Sequence, residues 1–157
     1  MTEDYEKLAQ RWFERADDTL LYAQAGFAET GIAADTCFFA QQVVEKYLKG
    51  FLTYCGIESE RTHSLPKLLK KAAEVSASLH QLQEVCSKLN DYYIEPRYPP
   101  DEPGVYSEKE AKQALEDAKE TIHVIRKALK SIKPGQAKKE TFEEEPELLR
   151  LIAEGAD

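Results

Sequence analysis

Between positions 37 and 55 the apolar residues crowd round a helix until little polar surface is left. Cys37, Ala40, Val44, Tyr47, Leu48, Phe51 and Cys55 fall along one side at about 100° per residue. Phe39, Val43, Gly50 and Tyr54 widen this arc, leaving a narrow sector of Gln42, Glu45, Lys46, Lys49 and Thr53. A surface helix carries one apolar stripe, whereas a helix apolar nearly all round is packed on several sides. The pattern predicts the central helix of a bundle, starting near Ala33, stopped by Gly56 and presenting one thin polar seam.

Amphipathic stretches flank it. Leu8, Trp12, Ala16, Leu20, Ala23 and Phe27 recur at three- to four-residue spacing, which predicts a first helix over 3–29 ended by Thr30 and Gly31. Thr62 or Ser64 is placed to cap a third helix bearing Leu65, Leu68, Leu69, Ala72 and Ala73, with Pro66 tolerated in its first turn. A fourth is expected over 77–93, with Leu79, Leu82, Cys86, Leu89 and Tyr93 in register and Pro96 as its stop. Ser107 to Glu110 form a capping box. The fifth helix then carries Ala111, Leu115, Ala118, Ile122, Ile125 and Leu129 to Lys133, where Pro134 and Gly135 close it. No strand pattern interrupts the series. The expected fold class is therefore all-α, an up-and-down bundle of four to five helices over 1–133.

Residues 134–157 form an acidic C-terminal tail with seven acids against three bases, half of the chain's net charge of −8. Phe142, Leu148, Leu149, Leu151 and Ile152 give this tail a possible short amphipathic helix. It either docks on its own domain or a symmetry mate, or orders on contact with a partner.

Composition narrows the function classes. With 42% hydrophobic and 32% charged residues the chain reads as a soluble globular domain, and it has no apolar run of the roughly 20 residues a membrane span needs. The acidic, polar start is not that of a signal peptide. Three cysteines, with no CxxC pair, read as reduced core residues of a cytoplasmic protein. An acidic chain is a poor non-specific binder of DNA, because phosphate contacts need clustered Lys and Arg. No phosphate loop, zinc-protease motif or nucleophile elbow is present, and neither a metal nor a cofactor is expected.

Three stretches carry a family resemblance. Residues 39–52, FAQQVVEKYLKGFL, resemble the second helix of HEPN domains. Arg61-Thr62-His63-Ser64-Leu65 is similar to that family's His-containing approach to its third helix, and residues 93–99, YIEPRYP, to its later Arg-Tyr-Pro element. The ordered match covers about 8–130. The resemblance implies a helical bundle that usually dimerises and commonly acts beside a minimal nucleotidyltransferase, with some members thought to bind nucleotides. A second branch consists of metal-independent ribonucleases marked by Arg, four to six residues, then His. No arginine here is followed by histidine at that spacing, which argues against ribonuclease activity.

The remaining candidate chemistry is a convergent polar site. Gln42, Glu45, Lys46 and Lys49 share a helical face; Arg97 and Tyr98 open a Pro-rich loop, and Arg61 and His63 precede the third helix. Lys and Arg can hold a phosphate and Tyr98 can stack on a base, whereas Glu45 to Lys49 is also an ordinary stabilising helix pair. Arg61 and His63 are assigned at most a minor role, His63 fitting capping or packing better than acid–base work. The expected function is a non-catalytic, homodimeric HEPN module that binds a nucleotide or nucleotidyl substrate and acts with a minimal nucleotidyltransferase. The alternatives are a structural adaptor without a small ligand, and an atypical HEPN ribonuclease toxin using His63.

Overall fold

The computed structural model describes residues 4–58, 61–93 and 106–138. Every regular element among them is helical: α1 (Tyr5–Thr30), α2 (Ala33–Tyr54), α3 (Leu65–Val75), a 3-10 segment (Ala77–Leu82), α4 (Gln83–Asn90) and α5 (Glu108–Leu129). The all-α class that the periodicity predicts is the one observed.

Helix α2 is the hub, touching α1, α3, α4 and α5. Tyr47, Leu48, Phe51 and Leu52 are wholly buried in it. Helix α1 runs antiparallel to α2, since Trp12 meets Lys49, Thr19 meets Lys46 and Tyr22 meets Phe39. Gly50 is the point of closest approach. A Cβ added there would lie 2.5 Å from Phe13 Cε1 and 3.0 Å from Trp12 Cβ, so only glycine lets the two helices come this near. Helix α5 runs parallel to α2, with Arg126 on Tyr47 and the Tyr54 hydroxyl donating to Ile132 O at 2.9 Å.

Capping follows the sequence in part. Ser64, not Thr62, caps α3 by accepting from Lys67 N, and Pro66 sits in the first turn. The Ser107 hydroxyl accepts from Glu110 N at 3.1 Å. The Glu110 carboxylate, which a capping box would turn back on Ser107, accepts from the Tyr92 hydroxyl at 2.6 Å and so ties α5 to the end of α4.

Three expectations need correction. The helix over 77–93 is a 3-10 segment followed by α4 and a turn over 91–93. The three-residue spacing of Leu79 and Leu82 suits a 3-10 helix as well as an α-helix. Gln81 Nε2 donates to Ser78 O at 2.7 Å, a side-chain bond that competes with helical pairing, and Tyr92 rather than Tyr93 is buried. In α1 the deeply buried face is Ala9, Phe13, Ala16 and Ala23, while Leu8 is 41% exposed. Helix α5 stops at Leu129, and tight i to i−3 turns carry the chain to Ile132. The tail beyond Lys138 lies outside the described residues.

Candidate functional site

Gln41, Glu45 and Lys49 occupy one i, i+4, i+8 row of α2, and all three are buried. A buried charge is tolerated only when paired and hydrogen-bonded. Glu45 meets both conditions. Its Oε2 lies 3.2 Å from Lys49 Nζ and its Oε1 3.0 Å from His63 Nδ1, with Gln41 Nε2 at 3.4 Å from the same oxygen. Gln41 also donates to the His63 carbonyl at 3.3 Å and accepts from Gln42 Nε2 at 2.7 Å. The chain between α2 and α3 is thereby brought back along α2 and fastened to its middle.

The His63 side chain is 51% exposed, against 6% for that of Glu45, so the imidazole is the solvent-facing end of the network. Its ring stacks on Tyr93, with centroids 4.5 Å apart and planes 15° apart. An aromatic run continues from Tyr93 to Phe38, Phe39 and Tyr22. Phe38 and Phe39 are half-buried and Tyr22 is exposed, whereas Tyr47 and Phe51 are core.

Lys46 leaves the other side of α2. Its ammonium donates to the Thr19 hydroxyl at 3.1 Å, and its pKa is lowered by burial and then by the nearby Arg15 cation, with Glu45 acting in the opposite direction. Arg15 borders a groove of about 730 Å³ between α1 and α2. Leu8, Arg11, Trp12, Arg15 and Thr53 line the groove, and the carboxylates of Glu14 and Asp18 share its wall. Lys49 lies over the Trp12 ring, 5.8 Å from its centroid.

The structure therefore separates what one helical face seemed to join. Glu45, Lys49 and His63 converge, Gln42 touches them through Gln41, and Lys46 faces α1 instead. Arg61 is exposed and takes no part in this network. Arg97 and Tyr98 lie outside the described residues. Sequence reasoning missed Gln41, Arg11, Trp12 and Arg15. A Gln one turn before Glu45 was the available signal for the first. The arginines and indole become visible only when α1 is laid against α2.

Other chemistry is poorly served. Cys37, Cys55 and Cys86 are free and buried, and burial pushes each thiol up to about 12, which holds the nucleophilic thiolate off. Among the described residues there is no group of three or more His, Cys, Asp or Glu that could hold a metal ion, and no helix long and apolar enough to cross a membrane.

A family model for the HEPN domain matches residues 9–133. No curated protein and no solved structure matches the chain. The matched span runs from the first core residue of α1 to just beyond α5 and contains α2, His63 and every groove residue except Leu8. With an all-α bundle centred on the stretch that carries the resemblance, the chain belongs to the HEPN domain family.

Proposed function

We propose that this HEPN domain is a non-catalytic module that forms a homodimer, binds a nucleotide or nucleotidyl substrate, and works with a minimal nucleotidyltransferase that performs the phosphoryl chemistry. The observation that carries this reading is the α1–α2 groove itself, where Arg11 and Arg15 stand one turn apart beside Trp12, with Lys46 close by on α2 at Thr19. Two guanidiniums one helical turn apart on one wall can hold an anion between them. Arg offers a planar fork and Lys a point charge to a phosphate, while the indole gives a base a stacking face. Gln42 supplies a neutral polar contact, and Arg97 and Tyr98 keep the second phosphate cation and base platform that the sequence assigns them. Lys49 and Glu45 act one layer deeper, because each neutralises the other inside the bundle.

Calorimetric titration of ATP, GTP, CTP and UTP into the wild type and Lys46→Ala tests this. A charged hydrogen bond to phosphate contributes about 1.5–3 kcal/mol, so Lys46→Ala weakens binding by roughly tenfold or more. Absence of heat with every nucleotide at millimolar concentration favours the adaptor reading instead.

One observation favours a second reading. Glu45 orients an imidazole that faces solvent, an arrangement that suits a general base. Cleavage of a labelled RNA that His63→Ala abolishes would make this an atypical ribonuclease; intact RNA is the expected result.

A further inference from the structure

A second cleft, of about 430 Å³, lies between α5 and the 3-10 segment and shares no residue with the α1–α2 groove. Its α5 wall carries Glu120, His123 and Lys127, which fall on one side of the helix at i, i+3 and i+7. Val124 and Ala128, each 6% exposed, give it an apolar floor. Ser76, Ser78 and Gln81 form the opposite wall. The Ser76 and Ser78 hydroxyls are 3.0 Å apart, and Gln81 Nε2 donates to Ser78 O at 2.7 Å, so this wall is held in place by its own bonds.

The charged groups of the cleft are uncommitted. Among the described residues, Glu120, His123 and Lys127 make no ion pair and no side-chain hydrogen bond, whereas Lys119 and Arg126 on the same helix are paired with Glu116 and Asp17. A lysine in the last turns of a helix answers the helix dipole, which accounts for Lys127 and leaves Glu120 and His123 unexplained. The charge also changes sign along the cleft. Residues 116–120 hold three acids and one base, while residues 121–133 hold four Lys or Arg and no acid.

This sequence of charges selects a ligand. Seven residues of helix separate Glu120 from Lys127, a rise of about 10 Å, too far for the two to neutralise each other. A simple anion drawn to Lys127 meets Glu120 in the same cleft, and a simple cation drawn to Glu120 meets Lys127. A molecule with an ammonium at one end and a carboxylate at the other satisfies both. A free amino acid is too short to span them, whereas three residues of extended peptide cover about 10 Å. The cleft has the volume of an ordinary small-molecule site. His123, the Ser78 hydroxyl and the uncommitted oxygen of Gln81 supply partners for peptide N–H and C=O groups, and Val124 and Ala128 accept a small apolar side chain.

We propose that the cleft between α5 and the 3-10 segment binds a short linear peptide of about three residues with both termini free. The terminal ammonium lies at Glu120 and the terminal carboxylate at Lys127, so the peptide runs in the direction of α5. The site needs neither a nucleotide nor a second copy of the chain, and it stands or falls apart from the ligand reading above.

The test is amide chemical-shift mapping of the isotope-labelled full chain with three probes: trialanine, N-acetyl-trialanine and trialanine amide. Trialanine at millimolar concentration should shift the amides of Ser78, Gln81, His123 and Lys127, and blocking either terminus should weaken binding about tenfold. Lys127→Gln and Glu120→Gln change exposed side chains and leave the core intact. Lys127→Gln should bind trialanine and its amide equally, and Glu120→Gln should bind trialanine and its N-acetyl form equally. No shift with trialanine would overturn the proposal, as would equal binding of all three probes to the wild type. Variants that still discriminate free from blocked termini as the wild type does would overturn it too.

Discussion

At the scale of single residues the protein is held by a few polar groups that its interior can ill do without. Glu45 is the most exposed to test, because it neutralises Lys49 and holds His63. Glu45→Ala leaves a buried ammonium without a partner and should cost about 3–5 kcal/mol in denaturant melts. A neutral result would mean that Lys49 reaches water. Replacing both residues by apolar groups of similar size should cost less than the single change, since no charge is stranded. The alkaline limb of stability belongs to this scale as well. Burial, and then the Asp17 hydrogen bond, raise Tyr47 to about 12, and burial raises the three thiols from their ordinary 9.0 to about 12. These groups stay protonated in the fold while their unfolded counterparts ionise. Their contribution is complete below pH 9 and is lost as the pH rises towards 12. Urea midpoints should therefore fall between pH 8 and about pH 11. A flat profile would place the thiols in contact with solvent. Of these groups the sequence made Glu45 and Lys49 legible as a helix pair, but not as buried. Spacing along one helix gives the row and says nothing of what packs over it, and here the returning 61–64 segment and Trp12 do so.

At the scale of elements the argument turns on α2. Its broad apolar arc announced a hub, and α1, α3, α4 and α5 surround it. Phe51 has no exposed surface, so Phe51→Ala should destabilise by about 3–5 kcal/mol. Gly50→Ala runs against helix propensity, which alone would gain up to about 1 kcal/mol. The new methyl meets the Phe13 ring, and overpacking of this kind costs about 1–3 kcal/mol, so the variant should be less stable than wild type. A Gly50→Ala protein with a raised urea midpoint would contradict the close approach of α1. The sequence located four of the five α-helices within a few residues. It misjudged the fourth because a leucine pair three residues apart fits two helical periods, and only the Ser76 to Gln81 hydrogen bonds decide between them. It misjudged the face of α1 because Leu8 and Trp12 keep nearly the same register as Ala9 and Phe13, and the choice rests on which side chain Gly50 admits.

At the scale of the whole molecule, the dimer that the family resemblance implies needs a surface. The arc of α2 is covered within the chain, so it leaves no bare surface by itself. The exposed apolar groups lie elsewhere, with Tyr22 68% and Leu21 67% exposed next to the half-buried Phe39. A two-fold contact through this aromatic edge is the interface proposed here. Light scattering at micromolar concentration should give about twice the 17.8 kDa chain mass, and Tyr22→Asp should shift it to the monomer. A wild type that stays monomeric would remove the dimer from the account. The central claim is that the α1–α2 groove receives a nucleotide. Its most direct test is amide chemical-shift mapping of the isotope-labelled full chain during ATP titration. The account predicts shifts centred on Arg11, Trp12, Arg15, Thr19 and Lys46, with the opposite side around Ser78 and His123 unmoved. Shifts centred on Ser78 and His123, or none at millimolar ATP, would contradict it.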